Sequence, residues 1–229
     1  MKVAKQFYLL IVILFLSLSV QAQESPLTFG IKGGINLSNL SGNIKDSKPK
    51  IGYQGGITLD YRITPDIFIF TGLELTNKGA KEKDAVLADG NIKSKHNPLY
   101  LQIPLHAAYK MMISESSNIA LHAGPYVAYG ISGKYKTEIN SNLIGIENKN
   151  PSIDYFGDKG FAKRFDYGFG LGISAEVNKF VLNIGFDVGL ANIANDITML
   201  DSKGEIIKAG NDHLKMRNQN SYLTLGYKF

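Results

Sequence analysis

The residues best suited to chemistry form one set of ionisable side chains that recur at alternate positions of several segments. Five of them are acidic and four are basic, so the set is close to electrically balanced. They are Lys32, Asp60, Arg62, Glu74, Lys110, Asp166, Glu176, Asp187 and Lys228, with His106 and His122 at equivalent positions. Because buried charges need partners, this balance favours a network of ion pairs that rigidifies the protein over an ion-selective pathway.

The two histidines suit catalysis or metal binding as well as simple hydrogen bonding. Hydrolases pair histidine with serine and an acid, but neither His106 nor His122 has a clear serine partner in the sequence. A metal site would need carboxylates beside the imidazoles, and Glu74 or Asp187 would have to supply them. The absence of cysteine excludes a thiolate zinc site and a cysteine nucleophile. We therefore predict a hydrogen-bonded histidine pair in a protein that is not an enzyme and uses no cofactor.

The elements that carry these residues are eight segments of 11 to 14 residues in which apolar side chains alternate with small or polar ones. They span residues 27–40, 51–62, 67–78, 98–110, 118–131, 165–177, 180–190 and 219–229. Within 165–177, for example, Phe169 and Leu171 alternate with Gly170 and Gly172. Alternation with a period of two predicts β-strands. A content of 44% hydrophobic and 20% charged residues excludes a disordered chain.

The composition of the two strand faces distinguishes a water-soluble sandwich or lipocalin-like barrel from a membrane barrel. A soluble protein would carry bulky charged side chains on its second face, whereas glycine, alanine, serine and single charges fill it here. Small side chains fit the narrow inside of an eight-stranded barrel, and the apolar face then meets lipid. About ten tilted residues per strand cover the apolar band of roughly 25 Å. We therefore predict an all-β fold, an eight-stranded antiparallel up-and-down transmembrane β-barrel.

The segments outside the strands predict location and orientation. Residues 1–22 combine two lysines, an apolar run at 7–20 and a Val20-Gln21-Ala22 exit. This is the layout of a cleaved signal peptide, which leaves 23–229 as the barrel domain. The connections 63–66, 111–117 and 178–179 are short, while 41–50, 79–97, 132–164 and 191–218 are long. Since outer-membrane barrels have short periplasmic turns and long outer loops, both termini are predicted to be periplasmic.

Three stretches resemble the PorT-like outer-membrane β-barrel family of Bacteroidetes, whose members are mostly described as porin-family or outer-membrane barrel proteins. They are 29–40 (FGIKGGINLSNL), 100–105 (YLQIPL) and 124–130 (GPYVAYG), in the family's order. Gln102 stands where the family commonly has an acidic residue. The resemblance covers nearly all of 27–229 and implies an eight-stranded barrel in a Gram-negative outer membrane. The named member serves a protein secretion machinery, a role that similarity of fold does not transfer.

Several functions are compatible with such a barrel, and we rank first a filled, non-enzymatic barrel with a structural or partner-binding role through its outer loops. The alternatives are a narrow porin for small solutes, an accessory of a secretion system and, last, a lipid-modifying enzyme. The expected partners are outer-membrane lipid and lipopolysaccharide, the barrel-assembly machinery, for which Phe229 resembles the recognition signal, and a secretion-system or surface protein. Removal of Lys2 and Lys5 lowers the formal net charge from +5 to +3, too little to indicate nucleic acid.

Overall fold

The computed structural model describes residues 25–43, 47–82, 85–87, 90–141, 152–157, 160, 162–195, 197–200, 206–209 and 215–229. The predicted signal peptide, 1–22, lies outside these residues, so its cleavage stays a prediction. Among the residues that are described, no helix has the length and apolar character needed to cross a membrane.

The described secondary structure consists of antiparallel strands. In chain order they are β1 (Leu27–Gly42), β2 (Ser47–Lys48), β3 (Lys50–Arg62), β4 (Ile67–Asn77), β5 (Lys81–Glu82), β6 (Ala85–Leu87), β7 (Gly90–Ser114), β8 (Ser117–Ser141), β9 (Ser152–Asp154), β10 (Phe165–Val177), β11 (Phe180–Gly189), β12 (Ile197–Leu200), β13 (Ile206–Ala209) and β14 (Met216–Lys228). Eight of them are long and the other six have two to four residues.

The eight long strands close into a ring. Around the ring the order is β1, β3, β4, β7, β8, β10, β11 and β14, and β14 pairs with β1 to complete it. Consecutive long strands are always neighbours, which is the up-and-down topology. The short strands β2, β5, β6 and β9 extend this sheet at one end, while β12 and β13 form a separate hairpin.

The two faces of the ring have opposite character. Large apolar side chains on the outside are half exposed, as for Leu171 at 54% and Ile184 at 53%. Polar side chains on the inside are buried, with Asp187 at 2% and Thr224 at 1%. A soluble protein has the reverse arrangement. Since a closed ring also satisfies the strand backbone without water, this is the transmembrane barrel that the alternation predicted.

The two ends of the barrel differ in the length of the connections between their strands. We call the end that carries the turns 63–66, 115–116 and 178–179, together with both barrel termini, the turn end. The opposite end, where the short strands lie, we call the loop end. The hairpin of β7 and β8 has 25 residues in each strand and extends beyond the ring at the loop end.

The extension of β7 and β8 corrects the predicted boundaries. The regions 79–97 and 132–164 were predicted to be loops, yet β7 begins at Gly90 and β8 ends at Ser141. The predicted connection 111–117 is mostly strand as well, with the turn confined to 115–116. Residues 90–97 and 132–141 are largely polar on both strand faces, so no apolar alternation marks them.

Glycine makes room for polar side chains inside the ring. At Gly170 on β10, a Cβ atom would collide with Asp187 Oδ1 and with the ring of His106. The absence of a side chain on this strand therefore allows larger polar groups from β7 and β11 to occupy the axis of the barrel.

Candidate functional site

The lumen at the turn end holds a cluster of four charges from four strands. Lys228 Nζ lies 2.7 Å from Asp60 Oδ2 and also contacts Glu176 Oε2. Lys110 Nζ lies 3.6 Å from the same two carboxylate atoms. Two acids and two bases are thus paired in a site that is largely shielded from water, as the balance of charges in the sequence suggested.

The middle of the lumen contains a second ion pair and the two histidines. Lys32 Nζ lies 2.7 Å from Glu74 Oε1. The Nδ1 atoms of His106 and His122 are 2.9 Å apart, and His122 Nε2 lies 3.1 Å from Asn183 Oδ1. Asn183 Oδ1 accepts, so His122 Nε2 donates, and neutral rings then require His106 Nδ1 to donate to His122 Nδ1. Both nitrogens of His122 are therefore occupied.

A cavity of about 70 Å³ lies beside the histidine pair. Its lining includes Glu74, Gln102, Asp187 and Tyr222. Gln102 Nε2 donates to Asp187 Oδ2 over 3.1 Å, which anchors the buried carboxylate. The volume suits a few water molecules.

Towards the loop end, a layer that we call the plug fills the lumen. Its centre is an ion pair in which Lys78 Nζ lies 3.3 Å from Asp166 Oδ2, and both side chains are completely buried. Asp166 Oδ2 also accepts from Asn218 Nδ2 at 2.9 Å and from the Tyr126 hydroxyl at 3.4 Å. The Lys78 ammonium lies over the Tyr126 ring, 4.4 Å from its centre, and 5.4 Å from the centre of the Tyr100 ring.

A second buried lysine and a row of amides continue the plug. Lys50 Nζ donates to Asn77 Oδ1 at 2.7 Å, to the Lys78 carbonyl at 2.6 Å and to Asn97 Oδ1 at 2.8 Å. Asn220 links Asn36 to Gln54 through hydrogen bonds of 2.8 Å and 3.2 Å. The amides thus join the neighbouring strands β3, β1 and β14 along the inner face of the wall.

An apolar cap covers the plug at the loop end. Tyr155 and Phe156 are buried, and the Phe156 ring meets the Tyr100 ring edge-on at 5.3 Å. Burial raises the pKa of the Tyr155 hydroxyl. Beside the cap, His96 Nε2 donates to Glu82 Oε1 at 3.0 Å, and this hydrogen bond is the largest cause that lowers the pKa of Glu82.

Most of the residues named from the sequence lie inside the barrel, but two do not join the network. Arg62 was predicted to face the lumen, yet its side chain is exposed at the last residue of β3, where the turn 63–66 begins. Phe229 follows the end of β14, is exposed, and donates its backbone N–H to the Phe29 carbonyl. Its role as an assembly signal stays a prediction.

Sequence reasoning missed the residues of the plug other than Asp166. Lys78 follows Glu74 and Thr76 at alternate positions, so the same alternation could have found it at the end of its segment. Lys50 belongs to a segment for which the sequence predicts a loop, and the amides Asn36, Gln54, Asn218 and Asn220 carry no charge that would mark them as members of an ionic network. Within the described part of the chain, no group of three or more metal-ligating side chains is positioned to hold a metal ion.

Comparisons with known proteins give the family. The model of the outer membrane protein beta-barrel domain family matches residues 21–195. No curated protein matches the chain significantly. Ail, the attachment invasion locus protein of Yersinia pestis, solved with the heparin analogue sucrose octasulfate, is 13% identical over 90% of this chain and 100% of its own, with a TM-score of 0.44. Neisserial surface protein A is 12% identical over 88% of this chain and 97% of its own, with a TM-score of 0.39.

The family match covers roughly three quarters of the chain. It includes seven of the eight ring strands, from β1 to β11. The apolar outside and the polar inside of the ring are those of an outer-membrane barrel. The chain therefore belongs to the outer membrane protein beta-barrel domain family and is an integral protein of the outer membrane.

Proposed function

We propose that this protein is a non-enzymatic barrel whose lumen is closed to solutes and which acts through its loop end, in a structural or partner-binding role. The observation that carries the proposal is the plug. The ion pair of Lys78 with Asp166 is completely buried, and the Lys78 ammonium lies against the rings of Tyr100 and Tyr126, so water does not reach either charge at this level.

The cap and the histidine pair support the same proposal. Tyr155 and Phe156 cover the plug with apolar rings, so the lumen is blocked by two successive layers. His122 uses both ring nitrogens in hydrogen bonds to His106 and Asn183. A catalytic histidine needs a free nitrogen within reach of the group whose proton it takes. His122 has none, and His106 Nε2, which has no hydrogen-bond partner among the described residues, is buried in the lumen. The arrangement suits a structural hydrogen-bond network.

We also propose that the loop end faces the outside of the cell and that both termini lie in the periplasm. The turn end has a two-residue turn at 115–116 and another at 178–179, whereas the loop end carries the start of β7 and the end of β8, which extend beyond the ring. This asymmetry is the usual one of outer-membrane barrels. A partner would then meet the outer ends of β7 and β8 and the connections near them.

Conductance in planar lipid bilayers tests the closed lumen. The purified, refolded chain should insert without producing steady current steps. The variant Tyr100→Ala/Tyr126→Ala/Tyr155→Ala/Phe156→Ala removes the rings of both the plug and the cap and should produce small steps, which shows that the assay can detect a path through this barrel. Steady channels from the unmodified chain would contradict the proposal and favour the narrow porin.

Membership of the PorT-like branch, and with it a Bacteroidetes-type envelope and an accessory role in secretion, is the second proposal. Two of the three stretches that carry this resemblance, 100–105 and 124–130, lie on β7 and β8 and supply Tyr100 and Tyr126 to the plug. These two stretches thus contribute to the interior of the barrel. Their similarity to the PorT-like family supports a common barrel architecture more than a common protein partner. Co-purification with large envelope subunits after mild solubilisation would support the accessory role, and an isolated monomer would oppose it.

A further inference from the structure

Four lysines stand side by side on four adjacent strands at the loop end. The register pairs Lys48 on β2 with Lys81 on β5, Lys81 with Lys95 on β7, and Lys95 with Lys136 on β8. All four side chains are exposed. Directly paired residues of antiparallel strands project from the same face of the sheet. We call this row the lysine ladder.

The ladder faces away from the barrel axis. The neighbouring residues Ser94 and His96 on β7 are buried on the opposite face, and Glu82, next to Lys81, turns inward to His96. Adjacent strands lie about 4.8 Å apart, so the four ammonium groups spread over roughly 14 Å. That length exceeds a single phosphate and suits a ligand with more than one anionic group.

The ladder concentrates positive charge on one face of the sheet. Like charges on directly opposite residues destabilise a sheet. Among the residues with described side chains, none of the four lysines has an ion pair. More positive charge lies close by, since Lys134 is exposed two residues from Lys136. Two acids stand near the row in register on β8 and β9: Glu138 pairs with Lys93, and Asp154 pairs with Lys134 at the edge of the sheet. An external anion would relieve the repulsion along the row.

The height of the ladder indicates which anion this is. On the same outward face of β7 and β8, Leu101 pairs with Tyr129, and these apolar side chains mark the lipid-facing surface. Lys95 and Lys136 lie about six residues further along, roughly 14 Å higher for strands tilted near 45°. Lysine side chains bend towards the interface, so their ammonium groups approach the level of lipid head groups. The row also faces sideways, towards surrounding lipid.

We propose that the lysine ladder binds the phosphate groups of glycolipids in the outer leaflet. The inference rests on the proposed orientation, with the loop end outside the cell, and it assigns the contact with lipopolysaccharide to one set of residues. Phosphates bridging neighbouring lysines would fix the β7–β8 hairpin relative to the membrane. The attraction would weaken at high ionic strength because the lysines are exposed.

Binding of bis-phosphorylated lipid A in detergent micelles tests the proposal, with the full chain refolded and its folded state checked by heat-dependent gel mobility. Each basic residue near an anionic lipid surface contributes about a factor of five. The variant Lys95→Gln/Lys136→Gln should therefore bind about 25-fold more weakly, by the same estimate. The matched variant Arg62→Gln/Lys179→Gln removes two exposed bases at the turn end and should bind normally. Lys95→Arg/Lys136→Arg keeps the charge and should bind normally too.

Three probes distinguish the sources of the anion. Lipid A stripped of both phosphates should bind at least tenfold more weakly than the intact lipid, and inorganic phosphate or heparin should not displace the intact lipid efficiently. Unchanged binding by the Lys95→Gln/Lys136→Gln variant, or equal binding of the stripped lipid, would overturn the proposal. Ladder-dependent preference for heparin or inorganic phosphate would overturn the assignment to lipid. None of these outcomes depends on whether the barrel conducts ions, so the closed lumen is tested separately.

Discussion

The ion pair at the centre of the plug allows a direct test of how this barrel is held together. The change is Lys78→Met, which keeps the length of the side chain and removes its charge. Asp166 then stays buried but retains its hydrogen bonds from Asn218 and from the Tyr126 hydroxyl. Breaking a buried pair by removing one partner costs roughly 3–5 kcal/mol. We expect a loss of about 3 kcal/mol, the lower limit, because these two donors remain.

The reciprocal change Asp166→Asn leaves the Lys78 ammonium over two aromatic rings. Cation–π contacts of a desolvated cation contribute up to about 2 kcal/mol, so the loss is again about 3 kcal/mol instead of the upper limit. The double variant removes both charges. Its loss should be smaller than the sum of the single losses by at least about 2 kcal/mol, because no unpaired charge remains buried.

Urea unfolding in lipid vesicles measures these free energies. Since the chain has no tryptophan, far-ultraviolet circular dichroism and heat-dependent gel mobility report the folded state. Lys163→Met, at an exposed lysine of the loop end, is the control and should change the free energy of unfolding by less than about 0.5 kcal/mol. Single losses below about 1 kcal/mol, or additive losses in the double variant, would refute the role assigned to the plug.

Two further predictions concern the loop end and the lipid-facing surface. Because the pKa of Glu82 is lowered in the folded protein, its hydrogen bond with His96 stabilises the loop end at pH values above the ordinary pKa of 4.5. This stabilisation is lost as the pH falls through the folded pKa. The protection of amides near His96, that is, their exchange rate relative to the intrinsic rate at the same pH, should therefore fall in acid, and Glu82→Gln should abolish that dependence. Ile184→Lys places a charge near the middle of the lipid-facing surface and should cost about 2–4 kcal/mol in vesicle unfolding, against at most about 1 kcal/mol for Met112→Lys at the turn end. Equal costs at the two positions would contradict the assigned membrane boundaries.

The two faces of the barrel wall could be predicted from the sequence because lipid imposes a strict rule. An outward side chain in hydrocarbon must be apolar, so Leu171 and Ile184 alternate with small or polar residues along their strands. The strand count, the up-and-down order and the inward position of charges such as Asp187 follow from that alternation. The all-β fold and the antiparallel up-and-down ring of about eight strands are confirmed.

The loop end could not be predicted in the same way. Where β7 and β8 leave the membrane, both of their faces carry polar residues, so apolar and polar positions no longer alternate and the strands cannot be recognised from the sequence. The burial of Tyr155 and Phe156 depends on contacts with Tyr100, more than 50 residues away in the sequence, which no local pattern records. The exposure of Arg62 has a local cause. The alternating pattern continues to the last residue of β3, but the enclosed lumen ends before that residue.

Closure of the ring joins β1 to β14, the two ring strands furthest apart along the chain. Until β14 is in place, the free edges of β1 and β11 each present unpaired peptide groups, which hydrocarbon does not tolerate. Joining such distant partners also makes folding slow. A partly assembled sheet is therefore unstable in the bilayer. Insertion must be nearly all-or-none, because the first seven ring strands are stable in the membrane only once β14 has paired with both β1 and β11.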